Sequence, residues 1–212
     1  MDLISGKEAT WILTSYLLGC CTAGYYWVRW RTGEDIRHHG SGNVGAKNVG
    51  RRLGTMGFLV TFAVDLAKGA LAVGGAQHFH LRDPALVLSI MAVVAGHNWP
   101  FQLRFQGGKG IAVSLGVLLA YSDFALVVLG LVLLPFWALV RSFTLSGLLA
   151  FALTPLALFF CDRDHTELVV MSALAILALL SHRKNVREEI ARYFPGRPVK
   201  DAPNPPDEGT GT

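Results

Sequence analysis

The chain has 212 residues, of which 52% are hydrophobic and 16% charged, with a formal net charge of +4 and a mean hydropathy of +0.41. Ordinary soluble domains carry about 25% charged residues, so this composition excludes a pair of soluble domains and implies one small integral membrane bundle. Three cysteines, two adjacent (Cys20, Cys21) and one distant (Cys161), supply neither a disulfide framework nor a paired metal spacing.

Residues 1–10 lack the basic start and small-residue cleavage site of a secretory signal, and are read as retained. Apolar segments follow at 11–28, 58–76, 84–95, 111–121, 124–140, 145–160 and 168–180. A spanning helix needs about 20 apolar residues, so the third, fourth and seventh are short. Short segments meet irregular backbone where protein or water shields it from lipid. The fold class is therefore an all-α integral membrane bundle of about seven helices, some short, with glycine-rich cytoplasmic loops. The second segment carries Asp65 and Lys68, which are costly in lipid and must face the bundle interior. Their spacing of three places them on one helical face, where they can pair. Pro135 and Pro155 are expected to kink their helices. The bundle is assigned to residues 1–194. The tail 195–212, rich in Pro, Gly and acids, is expected to be disordered and cytoplasmic.

With seven crossings, the connecting loops alternate sides. One side collects fifteen Lys and Arg: six in 29–56, two in 104–109, Arg141, and six from Arg183 onward. The other side holds Lys7, Arg82 and Arg163. The excess of basic residues makes the rich side cytoplasmic, with the N-terminus outside and the C-terminus inside.

Three unusual polar stretches share that side. GSGNVGAKN (40–48) combines glycines, which permit positive φ and close backbone approach, with Ser41, Asn43, Asn48 and, shortly after, Arg51. Consecutive N–H groups in such a turn can cradle an anion, and an arginine fork suits phosphate. A tight interhelical turn held near lipid headgroups fits the stretch equally well. FQGGKG (105–110) places Gly107, Gly108 and Gly110 around Lys109 directly before a helix, where unpaired N–H groups and the dipole favour phosphate. The nucleotide P-loop pattern is not met, because no Ser or Thr follows the lysine. GHNWP puts His97 and Asn98 at the end of a short helix. SHRKN puts His182 and Asn185 three apart after the last apolar segment, on one face if the helix continues, and a histidine there can act as a general base. The bland reading of SHRKN is a basic flank, which explains Arg183 and Lys184 better than His182 and Asn185.

Two other patterns carry less. His78 and Asp83 have an H-x4-D spacing, and His78 with His80 resembles a metal pair, but both fall in the loop on the opposite side and no carboxylate cluster supports a metal site. No paired carboxylates and no G-x-S-x-G elbow appear.

Read together, TGEDIRHHGSGNVGAKNVGRRLG, GHNWPFQLRFQGGKGIA and SHRKNV resemble the bacterial acyl-phosphate-dependent glycerol-3-phosphate acyltransferase family, PlsY. That family is marked by GSGN-x-GA-x-N-x-x-R, GH-x-x-P…F-x-GGKG and H-x-x-N segments. The resemblance runs from about residue 11 to 194. It implies a seven-helix inner-membrane enzyme that transfers an acyl group from acyl-phosphate to the 1-hydroxyl of glycerol 3-phosphate, giving lysophosphatidate and phosphate. By motif position it implies Ser41, His182 and Asn185 as catalytic residues. Asn43, Asn48, Arg51, His97, Gly107, Gly108, Lys109 and Gly110 fall to substrate binding. It implies no metal, no organic cofactor and no nucleic-acid partner; the partners are the two substrates, the lipid bilayer and, as a candidate, a soluble enzyme that makes the acyl-phosphate. The chain departs from the family pattern at Lys47, where Thr is usual, after Asn185, and around GCCTAG, where the first helix usually has a proline. The alternatives are a related acyltransferase with another phosphorylated acceptor, and a transporter or binding protein for an organophosphate, since broken helices and interior charges also occur in transporters.

Overall fold

In the computed structural model, residues 4–193 are described, with side chains through Arg183. The tail 195–212 lies outside the described residues. Eight α-helices follow in order: α1 Gly6–Cys20, α2 Ala23–Thr32, α3 Ala46–His78, α4 Asp83–Asn98, α5 Ile111–Tyr121, α6 Asp123–Val140, α7 Phe143–Phe160 and α8 His165–Tyr193. The described residues contain no strand. Five spans are long and apolar enough to cross a membrane, and α5 is a shorter apolar helix.

The first apolar segment, expected as one helix, is broken into α1 and α2. No proline causes the break. Helix α1 stops at Cys20, and three of its last carbonyls are taken by distant side chains: Lys68 Nζ donates to Gly19 O and Cys21 O, both at 3.0 Å, and Gln102 Nε2 donates to Cys20 O. Helix ends leave such carbonyls without intrahelical partners. Inside the protein these donors satisfy them, and the chain turns through Cys21 and Thr22. Helix α3 is likewise interrupted, at Gly54, whose φ of 74° is incompatible with a continuous helix.

One end of the bundle is marked by interactions between helix ends. Glu8 near the start of α1 pairs with Arg82 before α4 (2.6 Å). Thr166 in α8 donates to Asp83 at 3.1 Å, and Ser122 after α5 donates to Glu167. The starts of α1, α4, α6 and α8 and the ends of α3 and α5 therefore share one face, which also holds the α7–α8 turn. The loops 21–45 and 99–110 and the α6–α7 turn lie toward the other. This is the alternation expected from seven crossings, with α1 and α2 together counting as one.

Helix α5 contains 11 residues and so spans only about 16 Å, against a hydrocarbon thickness of about 30 Å. Its far end, Tyr121, lies at the shared face. Its beginning at Gly110 must then lie inside the thickness of the membrane, so the 99–110 loop enters the bundle from the basic side. Irregular backbone at that depth is stable where protein shields it, as it does at the buried Gly108 and Gly110.

The helices approach closely through small residues, the usual device where apolar burial cannot drive helices together. A Cβ on Gly19 would stand 2.2 Å from Val93 O, and one on Gly96 would stand 2.2 Å from Tyr16 O, so α1 and α4 cross in direct backbone contact. Gly69 and Gly116 do the same for α3 and α5, with a Cβ 2.1 Å from Val113 O and 1.9 Å from Leu66 O.

Asp65 and Lys68 are both buried and pair at 2.9 Å, as their spacing requires. Lys68 is also the donor that closes the end of α1. Lys68→Met is expected to lower stability by about 3–5 kcal/mol, because it strands a buried carboxylate. The double variant Asp65→Leu/Lys68→Met recovers only part of that loss, since Gly19 O and Cys21 O stay without a donor. Thermal unfolding in detergent micelles measures both.

Candidate active site

The 33–45 loop is organised from within by one residue. Asn48, buried in the first turn of α3, donates from Nδ2 to Ile36 O (3.2 Å), His39 O (2.9 Å) and Asn43 O (2.9 Å). Its Oδ1 accepts from Ser41 N at 3.0 Å. Gly40 has a φ of 57°, and a Cβ on it would lie 2.2 Å from Asn48 Oδ1, so only glycine fits. Asn43 accepts from Gly45 N (2.9 Å) and donates to Ser41 Oγ (2.9 Å), which orients the Ser41 hydroxyl at the exposed edge of the loop. Arg51 stands over the same edge, its Nη1 3.8 Å from where a Cβ on Gly40 would lie. Arg51 is exposed and makes no ion pair among the described residues, whereas its neighbour Arg52 is paired with Glu34 at 2.6 Å. The arginine free to meet an anion is therefore Arg51.

This loop is joined to the second one. Arg37 Nη1 donates to Leu103 O at 2.9 Å, its guanidinium lies over the Tyr25 ring, and it pairs with Asp35 at 2.6 Å. That pairing holds the Asp35 carboxyl down at about 2, so the joint stays charged at physiological pH. Val28, Ile36, Val44, Val49 and Leu103 form a small apolar cluster beneath it. Val44 N reaches Gly107 O at 3.5 Å.

The glycines of the second loop serve first to wrap it around the end of α4. Gly107 N donates to Asn98 O (3.1 Å) and Gly108 N to His97 O (2.9 Å). A Cβ on Gly107 would stand 2.2 Å from His97 O, and one on Gly108 would stand 2.0 Å from His97 Nε2. These two N–H groups are thus engaged. The donors that remain at this loop are the first-turn N–H groups of α5, Ile111 to Val113, which have no partner in their own helix and no side-chain cap. Gly110, with a φ of 79°, sets the start of that helix. Lys109 precedes it.

His97 is buried, and its Nδ1 lies 2.8 Å from Lys68 Nζ and 3.5 Å from Asp65 Oδ1. An ammonium only donates, so Nδ1 carries the lone pair and Nε2 the proton. His97 is in this way the floor on which Gly108 rests, held by the same lysine that ends α1.

The third segment meets the second. Ser181 Oγ donates to Lys109 O at 3.0 Å. His182 is buried, with Nδ1 2.9 Å from Ala178 O. A carbonyl cannot donate, so Nδ1 bears the proton and the lone pair is left on Nε2, the tautomer needed to accept a proton or a hydroxyl. Asn185 lies on α8, and its side chain is outside the described residues.

The second of the three segments read from sequence thus touches both others, the first through Val44, Arg37 and Leu103 and the third through Ser181 and Lys109 O. The structure gives Asn48, Gly107 and Gly108 internal bonds, and gives His97 a supporting position. His78, His80 and Asp83 fall at the opposite end of the bundle, away from this assembly. Sequence reading missed Arg37, whose only signal was the nearby acid in EDIR, and Ser181, which adjoins His182.

A family model described as glycerol-3-phosphate acyltransferase matches residues 9–192. The glycerol-3-phosphate acyltransferase 1 of Desulfitobacterium hafniense strain Y51 is 46% identical over 178 residues, covering 84% of this chain and 88% of that one. A glycerol-3-phosphate acyltransferase of Thermoanaerobacter sp. strain X514 is 37% identical, covering 84% of this chain and 90% of that one. Among solved structures, the integral membrane glycerol 3-phosphate acyltransferase PlsY in its glycerol 3-phosphate form superposes with a TM-score of 0.79 at 31% identity, covering 88% of this chain and 94% of that one. Its lysophosphatidic acid form superposes with a TM-score of 0.77 at 29% identity, over 88% of this chain and 93% of that one.

Asn48→Ala removes the donor for three carbonyls and is expected to destabilise by about 2–4 kcal/mol. Asn48→Asp, though closer in shape, turns acceptors toward those carbonyls and is expected to be the worse of the two. Comparison of melting temperatures and of tryptic cleavage within the 33–45 loop tests the order.

Proposed function

The chain belongs to the glycerol-3-phosphate acyltransferase family, and we propose that it transfers an acyl group from acyl-phosphate to the 1-hydroxyl of glycerol 3-phosphate. The bond between the acyl carbon and the phosphate oxygen breaks, an ester forms, and lysophosphatidate and inorganic phosphate leave. This is the first acylation in building a phospholipid. The observation that supports the reading is that the loop bearing Lys109, which opens α5, touches both the loop beneath Arg51 and, through Ser181, the part of α8 that carries His182.

Both substrates are anionic where they react. Arg51, set over the edge that presents Ser41, is placed to hold the glycerol 3-phosphate phosphate by its planar fork. Lys109 screens the repulsion between the two phosphates. The first-turn N–H groups of α5 face charge that builds on the departing phosphate. His182 Nε2 accepts the proton of the attacking hydroxyl, and Asn185, three residues on along α8, orients the acceptor. Asn43, Asn48, Gly107, Gly108, Gly110 and His97 hold these groups in position. Because acyl-phosphate is already activated, much of the acceleration comes from positioning.

A site at the basic end of the bundle suits a donor whose acyl chain lies in lipid and whose phosphate comes from water. The fifteen-to-three split of basic residues supports a bacterial inner-membrane protein with this face in the cytoplasm. A soluble enzyme on that side would then supply the acyl-phosphate. The transporter alternative finds no support among the relatives, which are acyltransferases by name.

Purified protein in lipid, given glycerol 3-phosphate with either acyl-phosphate or acyl-CoA, is expected to form lysophosphatidate and phosphate in equal amounts from acyl-phosphate alone. Product from acyl-CoA alone would contradict the donor assignment. His182→Gln, which keeps an amide in reach but cannot titrate, is expected to lower kcat by about 10²–10⁴ and to abolish the fall in rate at low pH. An unchanged pH–rate profile would remove the base role. Lys109→Ala is expected to lose most turnover while still folding in the membrane, and near-normal turnover in a well-folded variant would remove this loop from the site.

A further inference from the structure

Asn98, the last residue of α4, is not used by the mechanism above. It is 3% exposed, and neither its Oδ1 nor its Nδ2 has a hydrogen-bond partner among the described residues. Leaving two amide atoms buried and unpaired is costly, and such groups call for an explanation. The surroundings supply one. The glycine loop winds around this residue: Gly107 N is bonded to its carbonyl. The side-chain Oδ1 and Nδ2 lie 2.9 and 3.3 Å from where a Cβ on Gly110 would stand. Gly110 is the cap residue of α5, and no side chain bonds the N–H groups of that helix's first turn. An orphaned buried amide and an uncapped helix N-terminus therefore face the same small region, from two different helices.

We propose that Asn98 is a ligand of the acyl-phosphate, its Nδ2 donating to an oxygen of the donor's phosphate as that group seats on the α5 N-terminus; this rests on the acyl-phosphate reading given above. A phosphate oxygen entering on the Gly110 side would give Nδ2 the acceptor it lacks. Gly110 has a second role in this arrangement, since any side chain there would occupy the contact between the amide and the ligand. The amide is neutral, so it adds a donor without adding charge, and it releases the inorganic phosphate product more readily than a further lysine would. The carboxamide also discriminates: its donor protons suit a phosphate oxygen and offer nothing to a thioester donor, which lacks an anionic group at that position.

The test is Asn98→Leu, with Asn98→Ala beside it to guard against a clash by the larger side chain. Three quantities are read in lipid: the melting temperature without substrate, the shift of that temperature by inorganic phosphate, and the KM for each substrate. A purely structural amide that merely tolerates burial would give a variant at least as stable with unaltered kinetics. The proposal expects at least one variant to match the parent's melting temperature while its KM for acyl-phosphate rises about tenfold. Its KM for glycerol 3-phosphate stays within about twofold, and stabilisation by inorganic phosphate is lost. An unchanged KM for acyl-phosphate with full phosphate stabilisation in a folded variant overturns it. Misfolding of both variants also overturns it, since the amide would then be needed for the fold itself. If the parent protein makes no product from acyl-phosphate, the donor reading fails and the proposal fails with it.

Discussion

The bundle depends on one buried cation. Lys68 sits inside an apolar span, where an unpaired ammonium is untenable, and its position is set by the groups that surround it. Asp65 one turn before, Gly19 O and Cys21 O at the end of α1, and His97 Nδ1 in α4 all lie within 3.0 Å of Nζ. Gly19 O, Cys21 O and His97 Nδ1 take its three protons and Asp65 balances its charge, so none can move far without leaving another group unsatisfied. The consequences run outward. Helix α1 ends where its carbonyls are claimed, which frees α2 to change direction. Helices α1, α3 and α4 are tied at one depth. The imidazole of His97 is held in one tautomer and orientation, and Gly108 is packed against its Nε2 face. The loop that opens α5 thus inherits its geometry from a charge pair that touches no substrate.

That inheritance explains why the second loop is so rich in glycine. A glycine-rich loop beside a lysine invites the reading that every N–H points at an anion. Here Gly107 and Gly108 spend theirs on the carbonyls of Asn98 and His97, and their missing side chains make room for the end of α4. What remains for an anion is the start of α5, and α5 is short enough to bring that start inside the membrane. Charge at such a depth is stabilised by few partners and little water, so each donor counts for more than it would at the surface. Lys109 comes just before that start, and the loop below Arg51 is joined to the same loop by Arg37 and the small apolar cluster under Tyr25. The first loop has its own version of this economy, with Asn48 alone closing the turn that presents Ser41.

Much of this was legible in the sequence, and the parts that were not have a common cause. The spacing of Asp65 and Lys68 placed both on one inward face, and the charge asymmetry of the loops announced that three polar segments share a side. Both are local or additive properties. His97 lies 29 residues from Lys68, and nothing in the spacing of either announces that α3 and α4 bring them together. The break after Cys20 had no proline or glycine pair to mark it, because donors distant in sequence cause it. Asn43 and Asn48 have the right chemistry for ligand contacts, yet Asn48 is bonded to three carbonyls of the loop and Asn43 to Gly45 N and the Ser41 hydroxyl, and only the folded turn reveals this. The contact between Ser181 and Lys109 is of the same kind. Residue types told what chemistry was present, and helix packing decided which groups were left to perform it.

In the proposed site the first and second loops and α8 hold acceptor and donor phosphates side by side at the basic end of the bundle. A crystal structure of the protein with glycerol 3-phosphate tests it most directly. One molecule is expected, bound with its phosphate against Arg51 and Lys109 and its 1-hydroxyl within hydrogen-bond reach of His182 Nε2. A molecule bound with its phosphate elsewhere, or with its 1-hydroxyl turned away from His182, would contradict it.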